Sequence, residues 1–264
     1  MDHLDDLENR SIYIIREAYA SWRQSALLWS MGKDSTALLW IMRKAFFGRI
    51  PFPVVHIDTS YKFQEIYEFR DKYTRHWGLD LIVSRNEQAL SQGMSRQQGT
   101  FNCCSALKTD ALNMVLDQYG FQALYLAIRR DEHGIRAKER HISPRGEQGQ
   151  WDYAHQPPEL WDLYQRNLAK HKHARIHPLL DWTEMDVWRY IQREKIPIPA
   201  LYLANKGQRY RSIGCACCCQ PMASNAGRLT QIIKEIASSD IAERSGRQQD
   251  KEDHMQKLRS LGYM

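Results

Sequence analysis

The stretch Ser25-Ala-Leu-Leu-Trp-Ser-Met-Gly-Lys-Asp-Ser-Thr36 decides the fold. Its first half is a short apolar run of the kind a buried strand makes, and from Asp34 to Phe47 the pattern becomes helical. Between them, Gly32 allows the backbone to approach an anion, and Ser35 and Thr36 offer hydroxyls beside the cation of Lys33. A strand-to-helix turn of this kind aims backbone N–H groups and a helix N-terminus at one point, which suits phosphate. It lacks the four-residue spacer between glycines that marks a Walker A loop. Without a ligand the same turn would read as an ordinary helix start capped by Asp34 or Ser35.

Outward from this point the chain repeats the alternation. A helix is predicted over residues 4–22, and further buried strands over 53–58, 79–84 and 123–128. Helical spacing follows at Ile66, Phe69 and Tyr73 and again from about Ser105 to Gln118. Short buried strands alternating with helices predict a doubly wound α/β fold, a parallel sheet with helices on both faces. Residues 1–132 read as this core. Residues 133–264 read as a loop-rich and helical C-terminal part packed on it: polar, Pro- and Gly-punctuated loops to about 175, a helix capped by Thr183, another from Asn225 to Ile236, and a charged, mobile tail after Ser238.

With 264 residues, 43% apolar and 26% charged, the chain is long enough to bury one large core. No apolar run approaches the roughly 20 residues that span a bilayer, and the acidic N-terminus has no apolar signal region, so a cytoplasmic protein is expected. The net charge of +6 and pI near 9.0 suit an anionic partner, ATP or nucleic acid, and equally suit a merely solvated basic surface.

Several blocks together carry a family resemblance. Ser30–Thr36 resembles the Ser-Gly-Gly-Lys-Asp-Ser loop of N-type ATP pyrophosphatases (PP-loop enzymes, with the adenine nucleotide alpha hydrolase-like fold), with Met31 in place of the first Gly. His56-Ile-Asp-Thr59, Tyr67–Asp71, Arg129-Arg-Asp-Glu132, Arg136–Arg140, Pro178–Glu184, Ser224-Asn-Ala226 and Glu243-Arg-Ser-Gly-Arg247 are similar to the small subunit of bacterial sulfate adenylyltransferases. Phosphoadenylylsulfate reductases share that superfamily. The resemblance implies ATP bound through Ser30, Gly32, Lys33, Asp34, Ser35 and Thr36 and cleaved between its α and β phosphates, with Mg²⁺. It makes Lys33, Asp34, Arg129 and Arg130 the expected catalytic residues, the arginines as forked phosphate clamps. Lys108 is a further phosphate candidate, and Asp58, ending the second strand, a candidate for Mg²⁺ or ribose. The alternative for each basic residue is an ion pair with Asp131, Glu132 or Glu139.

All six cysteines fall in two places, Cys103-Cys104 and Cys215-Ala-Cys217-Cys218-Cys219, where the sulfate adenylyltransferase small subunit keeps only one like Cys215. In a reducing compartment such clusters point to metal or redox chemistry rather than disulfides. Four thiolates from Cys103, Cys104, Cys215 and Cys218 make a ligand set for zinc or a [4Fe–4S] cluster, and spacing does not choose between them. The Cys-Cys…Cys-x-x-Cys arrangement resembles cluster-binding adenylylsulfate reductases, and the second block resembles the ATP-pyrophosphatase component of bacterial DNA phosphorothioation systems, which favours iron–sulfur. Cys217 and Cys219 are alternative ligands or a sulfur-carrying thiol.

The leading expectation is adenylation of an acceptor so that sulfur can be incorporated, in DNA phosphorothioate modification. A cysteine desulfurase would donate the sulfur, with other modification-system proteins and DNA as partners. The basic residues from Arg129 to Arg145, with Lys170, Lys172 and Arg175, would face a phosphate backbone. The alternative is a sulfate adenylyltransferase small subunit acting on sulfate. A reductase is disfavoured because no cysteine follows Cys219. A tRNA thiolase and a scaffold that keeps ATP only structurally complete the range. Among the remaining residues, His56 is expected near the nucleotide, His171-Lys-His173 in a solvated basic loop, and Trp161, Trp182 and Trp188 in the core.

Overall fold

The computed structural model describes residues 2–247 except 135, 148, 152, 155, 157, 160, 162 and 165–171, together with Lys257. The expectations placed on Lys170, His171 and most of the tail beyond 247 lie outside the described residues.

Helix α1 (His3–Ser21) opens with a capping box in which Asp2 and Asp5 exchange side-chain-to-backbone bonds, satisfying N–H groups that the first turn would otherwise leave unpaired. The β/α alternation then follows: β1 (Ser25–Leu28), α2 (Lys33–Ala45), β2 (Val54–Ile57), α3 (Gln64–Trp77) and β3 (Leu81–Ser84). After the short α4 (Glu87–Ser91) come α5 (Thr100–Cys104), a π-helical turn over Ser105–Asp110, and α6 (Ala111–Tyr119). The expected helix therefore begins earlier and carries a π turn at Lys108, a distortion often found at functional sites. β4 (Ala123–Tyr125) follows, then β5 (Ile142–Arg145) and β6 (His173–Ile176), α7 (Glu184–Glu194), the hairpin β7 (Gln208–Arg209) and β8 (Met222–Ala223), and α8 (Leu229–Ala237).

The main sheet has the order β3-β2-β1-β4-β6-β5, parallel except for β5, which runs antiparallel to β6. Apolar residues of α1, α2, α3 and α7 meet Leu27, Trp29, Val54, Tyr125 and Ile176 on one side. Those of α6 meet Ala26, Leu28, Val55, Leu124 and Leu126 on the other. The period-2 alternation of strand side chains produces this division, and the predicted doubly wound fold is the one observed.

The stretch 133–175, read as loops, supplies β5 and β6 to the same sheet. Their inward residues are Ile142, Ala174 and Ile176. Alternate positions hold Ser143, Arg145, His173 and Arg175, which are also buried. Arg145 donates to Glu139 at 2.9 Å and to Ser143 at 2.7 Å, which offsets the cost of burying its charge. His173 is thus a strand residue and not a solvated one, and Arg129, Arg145 and Arg175 are buried away from any surface that could meet a phosphate backbone. Lys138 and Arg140 are exposed. Trp182 and Trp188 are in the core as expected, whereas Trp161 is 87% exposed. The helix at 183 starts as predicted, with a Thr183–Asp186 capping box.

Candidate active site

The chain order reverses between β1 and β4: β2 and β3 build the sheet to one side of β1, and β4 returns on the other. Ligands of open α/β sheets bind at the carboxyl end of such a switch point. A cleft of about 170 Å³, open to solvent on one side, lies there. Its lining combines apolar residues, Leu28, Val55, Ile57, Leu126 and Ile128, with charged ones, Asp34, Lys62, Lys108, Glu132, Arg136, Arg244 and Arg247. A lining that mixes apolar and charged side chains suits a nucleobase and its phosphates.

The Ser30–Thr36 loop closes one end. Met31 sits at φ +59° with its side chain wholly buried, a left-handed conformation that an L-residue adopts at a cost and glycine adopts freely. Ser30 Oγ and Ser35 Oγ are 3.0 Å apart, and Ser35 Oγ donates to the Gly32 carbonyl at 3.1 Å. The amide of Lys33 opens α2 and donates to the Tyr202 hydroxyl at 2.9 Å.

The predicted residues divide into two groups. Ser30, Gly32, Asp34, Ser35 and Lys108 line the cleft. Lys33 and Arg129 lie behind its wall, 1% and 0% exposed. Lys33 Nζ binds Asp34 at 2.9 Å and Glu243; Arg129 binds Asp34 and Glu243 and donates through Nε to Asp131 at 3.0 Å. Burial would push the Glu243 carboxyl up, but the adjacent Arg129 and Lys33 charges hold it down at about 2. Burial likewise acts against the Arg129 cation, and Glu243, Glu132 and Asp131 outweigh it, so the guanidinium stays charged. These two cations therefore fix Asp34 and the loop from beneath.

Three expected ligands are placed elsewhere. Thr36 accepts from the Trp29 indole at 3.1 Å inside the core. Arg130 pairs with Asp181 instead of reaching into the cleft. Asp58 accepts from the Tyr67 hydroxyl and the Ser60 amide, both at 2.8 Å, and is outside the cleft lining. His56 lines the cleft with Nδ1 3.2 Å from the Trp29 carbonyl, and burial pushes its pKa down to about 3, so the ring is neutral.

Residues beyond the expected set complete the lining. Glu132 takes Arg136 and Arg244; Arg247 donates to the Ile213 carbonyl and lies against Gly214. Residues 243–247, expected in a mobile tail, thus pack between the phosphate loop and the cysteine loop. Only their place in a family-like block signalled them, and nothing local signalled Lys62 or Tyr202.

A second, smaller cavity adjoins the first. Cys103, Cys104, Cys215, Cys217 and Cys218 line it with Thr59, Tyr61, Arg96, Thr100 and Lys108. The two cysteine blocks do come together, then, and Lys108 faces both cavities. All six cysteines are free, and only Cys217 is exposed. Burial pushes Cys103 up to about 11 and Cys218 up to about 12, neighbouring thiols adding to both shifts. Cys215 is buried too, but Lys108, Lys62 and a 3.2 Å contact with Thr59 Oγ1 bring it down to about 7. Among the described residues, no three His, Cys, Asp or Glu are drawn together closely enough to hold a metal ion, and no helix is long and apolar enough to cross a membrane.

Residues 24–221 match the phosphoadenosine phosphosulfate reductase domain family. The chain is 39% identical to the sulfate adenylyltransferase subunit 2 of Pseudomonas savastanoi pv. phaseolicola, covering 94% of this chain and 92% of that protein. It is 38% identical to that of Shewanella loihica, over 99% and 98%. Among solved structures, Candida glabrata FMN adenylyltransferase in complex with ATP superposes with a TM-score of 0.59 at 16% identity, covering 94% of this chain and 89% of that one. Phosphoadenylyl-sulfate reductase from Candida auris superposes with a TM-score of 0.55 at 16% identity, over 82% and 95%. These structural likenesses bear on the fold alone.

Proposed function

Because the chain belongs to the phosphoadenosine phosphosulfate reductase domain family, we propose that it is an adenylyltransferase-type enzyme that cleaves ATP between the α and β phosphates. An acceptor oxygen attacks the α-phosphorus, the bond to the bridging oxygen breaks, and pyrophosphate leaves with the electron pair. The observation that carries this reading is the switch-point cleft, lined by apolar strand residues, by Ser30, Gly32, Asp34 and Ser35 of a strand-to-helix loop, and by five cationic side chains. Such a reaction needs positioning and charge neutralisation more than covalent chemistry. Mg²⁺ would enter on the phosphates, since this ion uses one or two carboxylates and keeps several waters; Asp34 and Glu132 are the carboxylates facing the cleft.

The finer reading is that adenylation serves sulfur incorporation, in DNA phosphorothioate modification, with a cysteine desulfurase as sulfur donor, other modification-system proteins and DNA as partners, in the cytoplasm. Its support is the cavity of five cysteines beside the nucleotide cleft. The donor set of Cys103, Cys104, Cys215 and Cys218 suits a [4Fe–4S] cluster, whose thiolates sit at separate corners instead of converging on one ion. When bound, such a cluster supplies one-electron chemistry or a fixed charge beside the cleft.

A second reading, the sulfate adenylyltransferase small subunit forming adenylyl sulfate, is favoured by the names and near-full-length match of the relatives at 38–39% identity. Pyrophosphate release from Mg-ATP, measured with sulfate or with duplex DNA as the added acceptor, separates the two. Sulfate-dependent release with adenylyl sulfate as product would sink the sulfur-incorporation reading. DNA-dependent release without a sulfate effect supports it.

A further inference from the structure

Tyr202 stands at the end of the turn Ala200–Tyr202, with its ring edge-on to Trp188 at 5.4 Å between centroids and 85° between planes. Only 2% of the residue is exposed, and it lines the cleft with Ser30, Gly32, Asp34 and Ser35. Its hydroxyl oxygen accepts the Lys33 amide at 2.9 Å and would lie 3.5 Å from a Cβ built on Gly32. The phenol thus covers the point at which the loop's first helical amide is aimed. No hydrogen bond among the described residues uses the hydroxyl's own proton. Burial pushes the phenol's pKa up against the opposing charge of Lys33, so the proton is retained.

A donor held there, with an amide behind it, continues the positive end of the α2 dipole by one group. Hydrogen bonds in such a chain polarise one another. We propose that Tyr202 is a phosphate ligand of this loop: it accepts from the Lys33 N–H and donates its hydroxyl proton to a non-bridging oxygen of the pyrophosphate part of ATP. The assignment rests on the ATP reading above. It makes Tyr202 specific for the di- and triphosphate part of the ligand and indifferent to the α-phosphate alone. The packed ring fixes the hydroxyl before ligand arrives, so little ordering is needed on binding.

Tyr202→Phe removes one oxygen and keeps the ring against Trp188. Calorimetric titration of the full chain with Mg-pyrophosphate and, separately, with AMP tests the assignment. A hydrogen bond to a charged group predicts pyrophosphate affinity weakened roughly 10- to 100-fold, with AMP affinity within about twofold of wild type. Unchanged pyrophosphate affinity would overturn the proposal. Tighter binding would overturn it too, because the phenol would then merely be obstructing the Lys33 amide, and so would equal losses for both ligands, which mark a structural role. Should the Phe variant not fold, 3,5-difluorotyrosine at 202 keeps the hydroxyl but makes it more acidic. Pyrophosphate affinity must then fall at a lower pH than in the wild type; an identical pH profile refutes the assignment. If the wild-type protein itself binds neither ATP nor pyrophosphate, the ATP reading fails; if it binds and the Phe variant matches it, only the Tyr202 assignment fails.

Discussion

Glu243 and Lys33, 210 residues apart, are bound side chain to side chain beneath the phosphate loop, and the second carboxylate oxygen of Glu243 takes Arg129. One buried anion therefore holds the start of α2, the loop after β4 and the chain's late segment together. Breaking a buried pair from one side leaves uncompensated charge, at a cost of about 3–5 kcal/mol. Glu243→Gln is expected to lower unfolding stability in denaturant titrations by roughly that amount.

The same carboxylate sets a pH window. Its folded pKa of about 2 lies below the ordinary Glu value, so its stabilisation is complete above the unfolded pKa of about 4.3 and drains away as pH falls toward 2. The loss amounts to roughly 3 kcal/mol over that window. Denaturant midpoints at several pH values between 5 and 2.5 should fall more steeply for wild type than for Glu243→Gln.

Met31 combines a buried side chain with a positive φ. Met31→Ala removes the packing and keeps the strained backbone, and a cost of about 2–4 kcal/mol is expected. Met31→Gly loses slightly more surface yet relieves the strain, so it should be about 1 kcal/mol more stable than the Ala variant, against the usual order. Denaturant midpoints of the two variants decide this.

Arg130 and Asp34 should separate kinetically. Arg130 pairs with Asp181 away from the cleft, and its removal should leave kcat/KM for ATP within a few-fold of wild type. Asp34 faces the cleft and is held by Lys33 and Arg129; Asp34→Asn should lower kcat/KM on the order of 100-fold, as loss of one preorganised electrostatic contact does. Pyrophosphate release assays on both variants read the difference.

Protein purified without oxygen should contain iron and acid-labile sulfide. Cys103→Ala and Cys218→Ala should each lose most of both, while Cys219→Ala, whose residue is outside the cysteine cavity, should retain them. Zinc in place of iron, or no metal at all, would contradict the cluster assignment.

The fold was largely legible because β1 through β4 are continuous apolar runs and α2 and α3 have clean helical spacing. β5 and β6 were not, since Arg145, His173 and Arg175 interrupt the pattern that marks a buried strand, and the partners that meet the buried charge of Arg145, Glu139 and Ser143, carry no strand signal of their own. At the site, local chemistry pointed to Ser30, Gly32, Asp34, Ser35 and Lys108, all of which line the cleft. It could not show that Lys33 and Arg129 lie behind the wall, because the partner that draws them there, Glu243, is brought close only by folding. Tyr202 escaped for a similar reason: a tyrosine after a Pro-rich turn has no spacing that reports an amide 169 residues earlier. The two cysteine blocks were legible as one site because clustering itself is improbable for packing residues.

Whether ATP is cut between its α and β phosphates is decided by incubating the protein and Mg²⁺ with ATP labelled at the α-phosphate and, separately, at the γ-phosphate. Cleavage at the α–β bond puts the γ label in pyrophosphate and the α label in AMP or an adenylated acceptor. ADP carrying the α label, with the γ label in orthophosphate, would contradict it.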